Sequence, residues 1–294
     1  VEGTAVPLVS LREVCAAAEK GRYAVGAFGV QNLETIQGVI EAAIEERSPA
    51  ILLVSEGAIK YGGLRPLAEI IKALAEQAPV PIVAHLDHGP SFEVATQCIM
   101  AGFKSVMVDA SHYDYDKNVA ITRQVVAMAH AVGATVEGEI GRIGGVEENI
   151  VVSEAEAAMT EPEEAARFVQ DTGVDAVAVA IGNAHGLYKG EPKLDIPRMG
   201  RIYEAVKRVA PDCFLVLHGG SGTPDHMIKD AIAAGVSKIN IGTELKLAFV
   251  EGIRETLEKK PGVDDPRHLV GPARQKVKEV TKAKMRLFGS SGRV

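Results

Sequence analysis

The sequence predicts an α/β protein of the closed (β/α)8 type, a TIM barrel with a C-terminal helical extension, on three observations. Eight short apolar and β-branched runs recur along 294 residues. Seven of them are followed by a longer stretch whose apolar residues fall at helical spacing. No GxGxxG follows the first run, which removes the main sign of an open dinucleotide-binding sheet.

Taken in order, the strands are YAVGAFGV at 23–30, AILLVS at 50–55, PIVAHLD at 81–87, SVMVDA at 105–110, TVEGEI at 135–140, AVAVAIG at 176–182, FLVLHG at 214–219 and KINIGT at 238–243. Runs such as AVAVAIG are apolar on both faces, as parallel strands covered by helices must be. The intervening segments 116–131 and 224–234 carry apolar residues on one face only. Right-handed, short connections then favour closure, and eight strands are the number that closes this barrel. The length suits one such unit, read as a catalytic barrel at 1–260 with an extension at 261–294 that packs on the barrel or on a neighbouring subunit.

Two regions depart from the repeat. Segment 141–160, GRIGGVEENIVVSEAEAAMT, is too long for an ordinary connection and has three early glycines, as a mobile lid would. Segment 264–294 opens with DDPRHLVGPAR and continues as a basic amphipathic helix able to meet a partner subunit.

Composition bounds the function classes. With 47% hydrophobic and 24% charged residues the chain is an ordinary globular one. Its 32 basic and 39 acidic side chains give a net charge of -7, without the basic footprint of a nucleic-acid binder. Cys15, Cys98 and Cys213 are odd in number and lie outside any CxxC spacing, so they read as buried reduced thiols. No run of 18 apolar residues suggests a membrane span, and 1–14 lacks the pattern of a leader, so the expected compartment is the cytoplasm.

In this fold the chemistry gathers where strands end. The third strand ends in His85-Leu86-Asp87-His88-Gly89, the fourth in Asp109 and the fifth in Glu137 and Glu139. The sixth reaches Asn183-Ala184-His185-Gly186, the seventh ends in His218-Gly219-Gly220 and the eighth carries Asn240. His88, His185 and His218 each leave a different strand and are each followed by glycine, so closure points them at one another. Three neutral imidazoles with an open fourth position form the ligand set of a catalytic zinc, a Lewis acid for a carbonyl oxygen.

Asp87 admits two readings, a proton shuttle beside the bound substrate or a cap on the following helix. Asp109 and Glu139 can orient the histidines or hold a second metal position, or can be salt-bridged barrel groups. HGGSG at 218–222 and INIGTE at 239–244 set glycines and hydroxyls before helices, where backbone N–H groups meet an anion; tight turns are the plainer alternative. His130, His226 and His268 read as background, and His112 stays open.

At these residues the chain closely resembles the class II ketose-bisphosphate aldolases, through HLDHG at 85–89, SVMVDASH at 105–112, VEGEIGRIGGVE at 136–147, AIGNAHGLYKGEPKLD at 180–195, HGGSG at 218–222, KINIGTE at 238–244 and DPR at 265–267. The resemblance implies reversible cleavage of a ketose 1,6-bisphosphate, foremost fructose 1,6-bisphosphate, to dihydroxyacetone phosphate and glyceraldehyde 3-phosphate through a zinc-stabilised enediolate, in glycolysis and gluconeogenesis. It implies zinc on His88, His185 and His218, with Asp109 and Glu139 at an alternate metal position. Asp87 would move the proton of the C4 hydroxyl, Glu147 on the lid would act as base at the dihydroxyacetone-phosphate carbon, and Asn240 would contact the enediolate. Gly186, Lys189, Gly219, Ser221 and Thr243 match a phosphate cradle, completed by a monovalent cation, sodium or potassium, and Ser55 is placed with them in substrate binding. Arg267 resembles an arginine lent to the distal phosphate of a neighbour in a homodimer or homotetramer.

Three positions depart from the family pattern. Gly29 stands where most members have asparagine, Gly138 where alanine is usual, and Gly242 where aspartate or alanine is found. These leave tagatose 1,6-bisphosphate or a related phosphoketose as an alternative substrate, and a non-catalytic phosphosugar-binding barrel as an alternative function. A metal-dependent hydrolase is a further reading, but it would not require a phosphate cradle or a lid glutamate. Lys238 is the one strand lysine weighed as a Schiff-base nucleophile.

Overall fold

The computed structural model describes residues 8–147, 150–153, 157–186, 188, 190 and 192–294. The chain begins with α1 (Leu11–Gly21), β1 (Val25–Gly29), α2 (Leu33–Glu46), β2 (Ala50–Ser55), α3 (Glu56–Gly62), α4 (Leu64–Ala75), β3 (Ile82–Gly89) and α5 (Phe92–Met100). It continues through β4 (Ser105–Val108), α6 (Tyr115–His130), β5 (Thr135–Ile140), β6 (Gly144–Glu147), β7 (Ile150–Val152), α7 (Pro162–Thr172), β8 (Ala176–Val179) and β9 (Ala184–His185). The last part comprises α8 (Ile196–Val209), β10 (Phe214–Leu217), α9 (Asp225–Ala233), β11 (Val236–Ile241), α10 (Thr243–Lys259) and α11 (Pro266–Phe288).

Eight parallel strands close in the order β1-β11-β10-β8-β5-β4-β3-β2. These are the eight expected strands, with ends shifted by a few residues. Strand periodicity divides the apolar residues between two cores. Phe28, Leu52, Leu86, Val106 and Ile239 face outward into the layer beneath the helices. Val25, Ala27, Ile51, Val83, Met107, Ala178 and Val216 face into the barrel, where Leu11, Val14, Cys15 and Ala18 of α1 join them.

Sequence periodicity did not anticipate α1. It forms because Ser10 and Glu13 make a reciprocal capping box and because its apolar stripe is fully buried against the strands at their N-terminal ends. That end of the barrel is thereby plugged, and the C-terminal mouth is left for chemistry. All three cysteines are buried and free, and burial pushes the Cys15 and Cys98 thiols up to about 12.

The long segment after β5 is not a bare loop. β6 and β7 pair as an antiparallel hairpin, and β6 also pairs in parallel with β9, giving a small sheet in the order β7-β6-β9 above the mouth. At the other end of the chain α10 packs antiparallel to α11, and α11 lies along α2 and also touches α9 and β1. Met285 and Phe288 of α11 are buried in the main core, while Lys278, Lys282 and Arg286 pair with Glu45 and Glu46 of α2.

Candidate active site

The interior-facing alternation of β2, β3, β5 and β11 brings Ser55, Asp87, Glu139 and Asn240 to the mouth, because each is the last or nearly the last inward residue of its strand, and Asp109 follows directly on β4. Adjacent Asp87 and His88 would face opposite ways on a regular strand. Here the register between β3 and β4 shifts between Leu86 and Gly89, and His88 takes φ 45°, the left-handed region that non-glycine residues seldom occupy. This bulge turns the chain at His88 itself and lets both side chains reach the site.

His218 follows β10, and its carbonyl oxygen accepts a hydrogen bond from Asn183 Nδ2 at 3.1 Å. His185 comes from β9, whose backbone is held between two glycines. Gly145 of β6 has φ 104°, and a Cβ there would sit 2.7 Å from the His185 nitrogen. Gly219 has φ 69°, and a Cβ there would meet the Ala184 backbone carbon at 2.8 Å. Neither position accepts a side chain without moving the histidine between them.

The three histidines converge as expected. Ring centroids lie 4.9 Å apart for His88 and His185, 4.8 Å for His88 and His218, and 5.7 Å for His185 and His218. One ligand atom from each, together with one from Glu139, falls within a 4.8 Å group able to hold a metal ion. Asp109 stands behind this group: its Oδ2 is 2.9 Å from His88 Nδ1, and its Oδ1 accepts from the backbone and hydroxyl of Ser111 at 3.1 and 2.8 Å. Ser111 Oγ also lies 3.2 Å from Glu139 Oε1, so its one hydroxyl hydrogen stands between the two carboxylates, with Asp109 the closer acceptor. Serine in DASH carried no signal of this role.

The donor set fits a cation. Burial opposes charge on Asp109, but the hydrogen bonds from His88 and Ser111 outweigh it and hold the carboxyl well below its usual range. Glu137 is likewise held low, burial being overcome by Lys238 and by the bond from His218. Each carboxylate accepts only, so His88 carries its hydrogen on Nδ1 and His218 carries its own on Nε2, 2.8 Å from Glu137 Oε1. Burial lowers His218 to about 4, against the raising effect of Glu137, so the ring is neutral at neutral pH. The two remaining nitrogens, His88 Nε2 and His218 Nδ1, face each other 3.0 Å apart inside the group that could hold a metal ion.

Beside the histidines, Asp87 is 5% exposed and its Oδ1 accepts from Asn240 Nδ2 at 3.2 Å. His185, Gly186, Gly219, Ser221, Asn240, Gly242 and Thr243 line one small cleft at the N-terminus of α10. A second cavity of about 250 Å³ runs outward from Asp87 between Ser55, Tyr61 and Lys246. Gly29 and Gly242 form part of its wall. They touch each other, a Cβ on Gly29 lying 3.2 Å from Gly242 Cα, so the two family departures are one local feature. Gly138 packs beneath Phe168, away from this cavity.

Lys238 is fully buried and paired with Glu137 at 2.7 Å, which removes it as a Schiff-base nucleophile. Sequence reasoning saw Glu137 only as a strand-end acid and missed its contact with His218. Glu147 closes β6, but its side chain lies outside the described residues, as does Lys189. Arg267, at the start of α11, is 87% exposed and paired with Asp265 at 2.7 Å; it lines neither site cavity of its own chain. Of the background histidines, His130 ends α6, where it meets Asp175 at 2.9 Å, while His226 and His268 stand in α9 and α11. His112 stacks on Tyr113.

A family model described as class-II fructose-bisphosphate aldolase matches residues 9–293. The fructose-bisphosphate aldolase of Thermus caldophilus is 48% identical, over 97% of this chain and 99% of its own. That of Geobacillus stearothermophilus is 47% identical, over 97% and 98%. Among solved structures, the YdjI aldolase from Escherichia coli K12 superposes with a TM-score of 0.84 at 35% identity, covering 97% of this chain and 98% of that one. This closed barrel, with a histidine-carboxylate group at its mouth that could hold a metal ion and a family match over nearly its whole length, belongs to the class-II fructose-bisphosphate aldolase family.

Proposed function

We propose that this aldolase cleaves fructose 1,6-bisphosphate reversibly to dihydroxyacetone phosphate and glyceraldehyde 3-phosphate, with zinc held by His88, His185 and His218. The observation that carries the reading is the convergence of His88, His185, His218 and Glu139 into one group within 4.8 Å that could hold a metal ion, beside a cleft at the N-terminus of α10 and the buried carboxylate of Asp87. When bound, the metal supplies a Lewis acid for the ketose carbonyl, which removes the need for a Schiff base.

The chain's own groups do the rest. Gly186, Gly219, Ser221 and Thr243, with Lys189 and a monovalent cation, seat the phosphate of the dihydroxyacetone half and so fix the carbonyl over the histidines. Asp87 takes the proton from the C4 hydroxyl as the C3–C4 bond breaks, and returns it during condensation. Asn240 holds Asp87 in place and faces the same substrate oxygens. Glu147 exchanges the proton at the dihydroxyacetone-phosphate carbon. Asp109 orients His88, and Glu139, inside the ligand group, offers the alternate metal position together with Asp109. Ser55 lies on the aldehyde side of Asp87, and Arg267 serves a neighbouring subunit of a homodimer or homotetramer working in the cytoplasm.

Chelation is expected to abolish cleavage and zinc to restore it, in a coupled assay run on fructose and tagatose 1,6-bisphosphate side by side. Full activity after verified removal of metal overturns the metal reading; faster turnover of the tagatose sugar overturns the substrate. Borohydride added with substrate should leave no lysine adduct.

A further inference from the structure

We propose that Glu137 and Lys238, a buried pair beneath the site, are positioning residues that set the tautomer of His218 and so decide whether its metal-facing nitrogen has a lone pair. The inference rests on the reading that His88, His185 and His218 hold the metal. Glu137 sits on β5 and Lys238 on β11, both fully buried inside the barrel, and neither lines the cavities at the mouth. A buried ion pair contributes little net stability, and apolar residues of similar volume commonly serve a core as well. Its consequence here lies in hydrogen-bond polarity.

Lys238 Nζ, which can only donate, is 2.7 Å from Glu137 Oε2, and His218 Nε2 is 2.8 Å from Oε1. The nearest other group, His85 Nε2, stands 3.6 Å from Oε2 while its Nδ1 engages Ser105 Oγ at 2.7 Å. Glu137 thus faces a donor on each oxygen. His218 Nε2 has a second neighbour, Asn240 Nδ2 at 3.3 Å, but that amide donates to Asp87 and the shorter 2.8 Å approach of the Glu137 carboxylate keeps the ring hydrogen on Nε2, with Nδ1 turned toward His88. Lys238 never touches the metal or the substrate in this arrangement. It acts through Glu137, and Glu137 acts through the ring.

The polarity can be inverted by one atom. In Glu137→Gln the amide has one acceptor and one donor end. Lys238 claims the oxygen, the NH2 turns to His218 Nε2, and the ring hydrogen moves to Nδ1, where the metal would bind. Zinc affinity, read by chelator competition from the zinc-loaded full chain, should fall by roughly 10- to 100-fold. Activity should return toward the wild-type value at saturating zinc. In the double variant Glu137→Gln/Lys238→Met no donor competes for the amide oxygen, which turns back to His218 and restores most of the affinity. A purely structural role predicts that the second substitution adds damage.

Imidazole 15N shifts of the zinc-free chain give the second readout: His218 should be the Nε2–H tautomer in the wild type and Nδ1–H in Glu137→Gln. Wild-type affinity in Glu137→Gln, or no recovery in the double variant, overturns the proposal. If the single variant does not fold, the wild-type spectrum decides alone, an Nδ1–H His218 overturning it. A His218→Ala control keeps the two readings apart, since wild-type zinc binding there would remove His218 from the metal site itself.

Discussion

At the scale of single residues, Asp87 owes its place at the mouth to the inward alternation of β3, and the bulge at His88 turns its neighbour toward the same site. Its contact with Asn240 and its place on the wall of the outward cavity favour proton transfer over the helix-cap alternative, and the cap of α5 is supplied by Ser91 instead. Asp87→Ala is therefore expected to keep its zinc, measured by metal analysis, while cleavage falls by roughly 10² to 10⁴. A nearly unimpaired variant would return Asp87 to a structural role. Gly242 offers a complementary test on the aldehyde side. Its φ of -113° and ψ of -61° suit alanine, and an added Cβ would meet nothing within 4 Å. Gly242→Ala should leave the melting temperature unchanged and raise KM for the bisphosphate roughly tenfold, with kcat less affected, if the methyl enters substrate space. Equal KM values would show that the cavity beside Asp87 is not where the aldehyde half sits.

Among the secondary-structure elements, what could be read in advance was what periodicity encodes. The eight barrel strands were legible because period-2 alternation and apolar runs are local properties, and the three histidines were legible because each ends such a strand. The β6–β7 hairpin was not, since GRIGGVEENIVV shows glycines before it shows alternation, and its pairing with β9 is fixed by a contact distant in sequence. The contacts of Ser111 and Glu137 were illegible for the same reason: they exist only across strands. The α2–α11 contact is another non-local feature, and it has a pH dependence. Hydrogen bonds from Lys282 and then Lys278 lower Glu45 to about 2 from an ordinary 4.5. A depressed folded-state value means that this contribution is complete above about pH 4.5 and is lost as the pH falls toward 2. Acid titration of stability should show that decline, and Glu45→Gln should flatten it, by no more than about 1 kcal/mol for so exposed a cluster. High salt should shrink the difference between the two proteins; an identical acid profile for both would remove Glu45 from the contact.

For the whole molecule, one chain brings together the histidine-carboxylate group that could hold a metal ion, Asp87 and the cleft at the N-terminus of α10, but among the described residues no arginine lines the outward cavity. Arg267 sits instead at the start of α11, 87% exposed, where Asp265 holds its guanidinium at 2.7 Å. On α10, Leu247, Val250 and Leu257 are exposed at helical spacing. An exposed apolar stripe and a preoriented, exposed guanidinium are features expected of a chain that docks on a second copy and lends it an arginine. Arg267→Ala should accordingly raise KM for the bisphosphate far more than for a ketose lacking the distal phosphate. Subunit mixing separates a lent residue from an owned one. An Arg267→Ala protein and an Asp87→Ala protein, each impaired alone, should regain part of the activity once subunits exchange, because some sites then combine a native Asp87 with a native Arg267 from the neighbour. Exchange verified by mass spectrometry without recovery of activity would mean that Arg267 serves its own chain or has no part in the reaction.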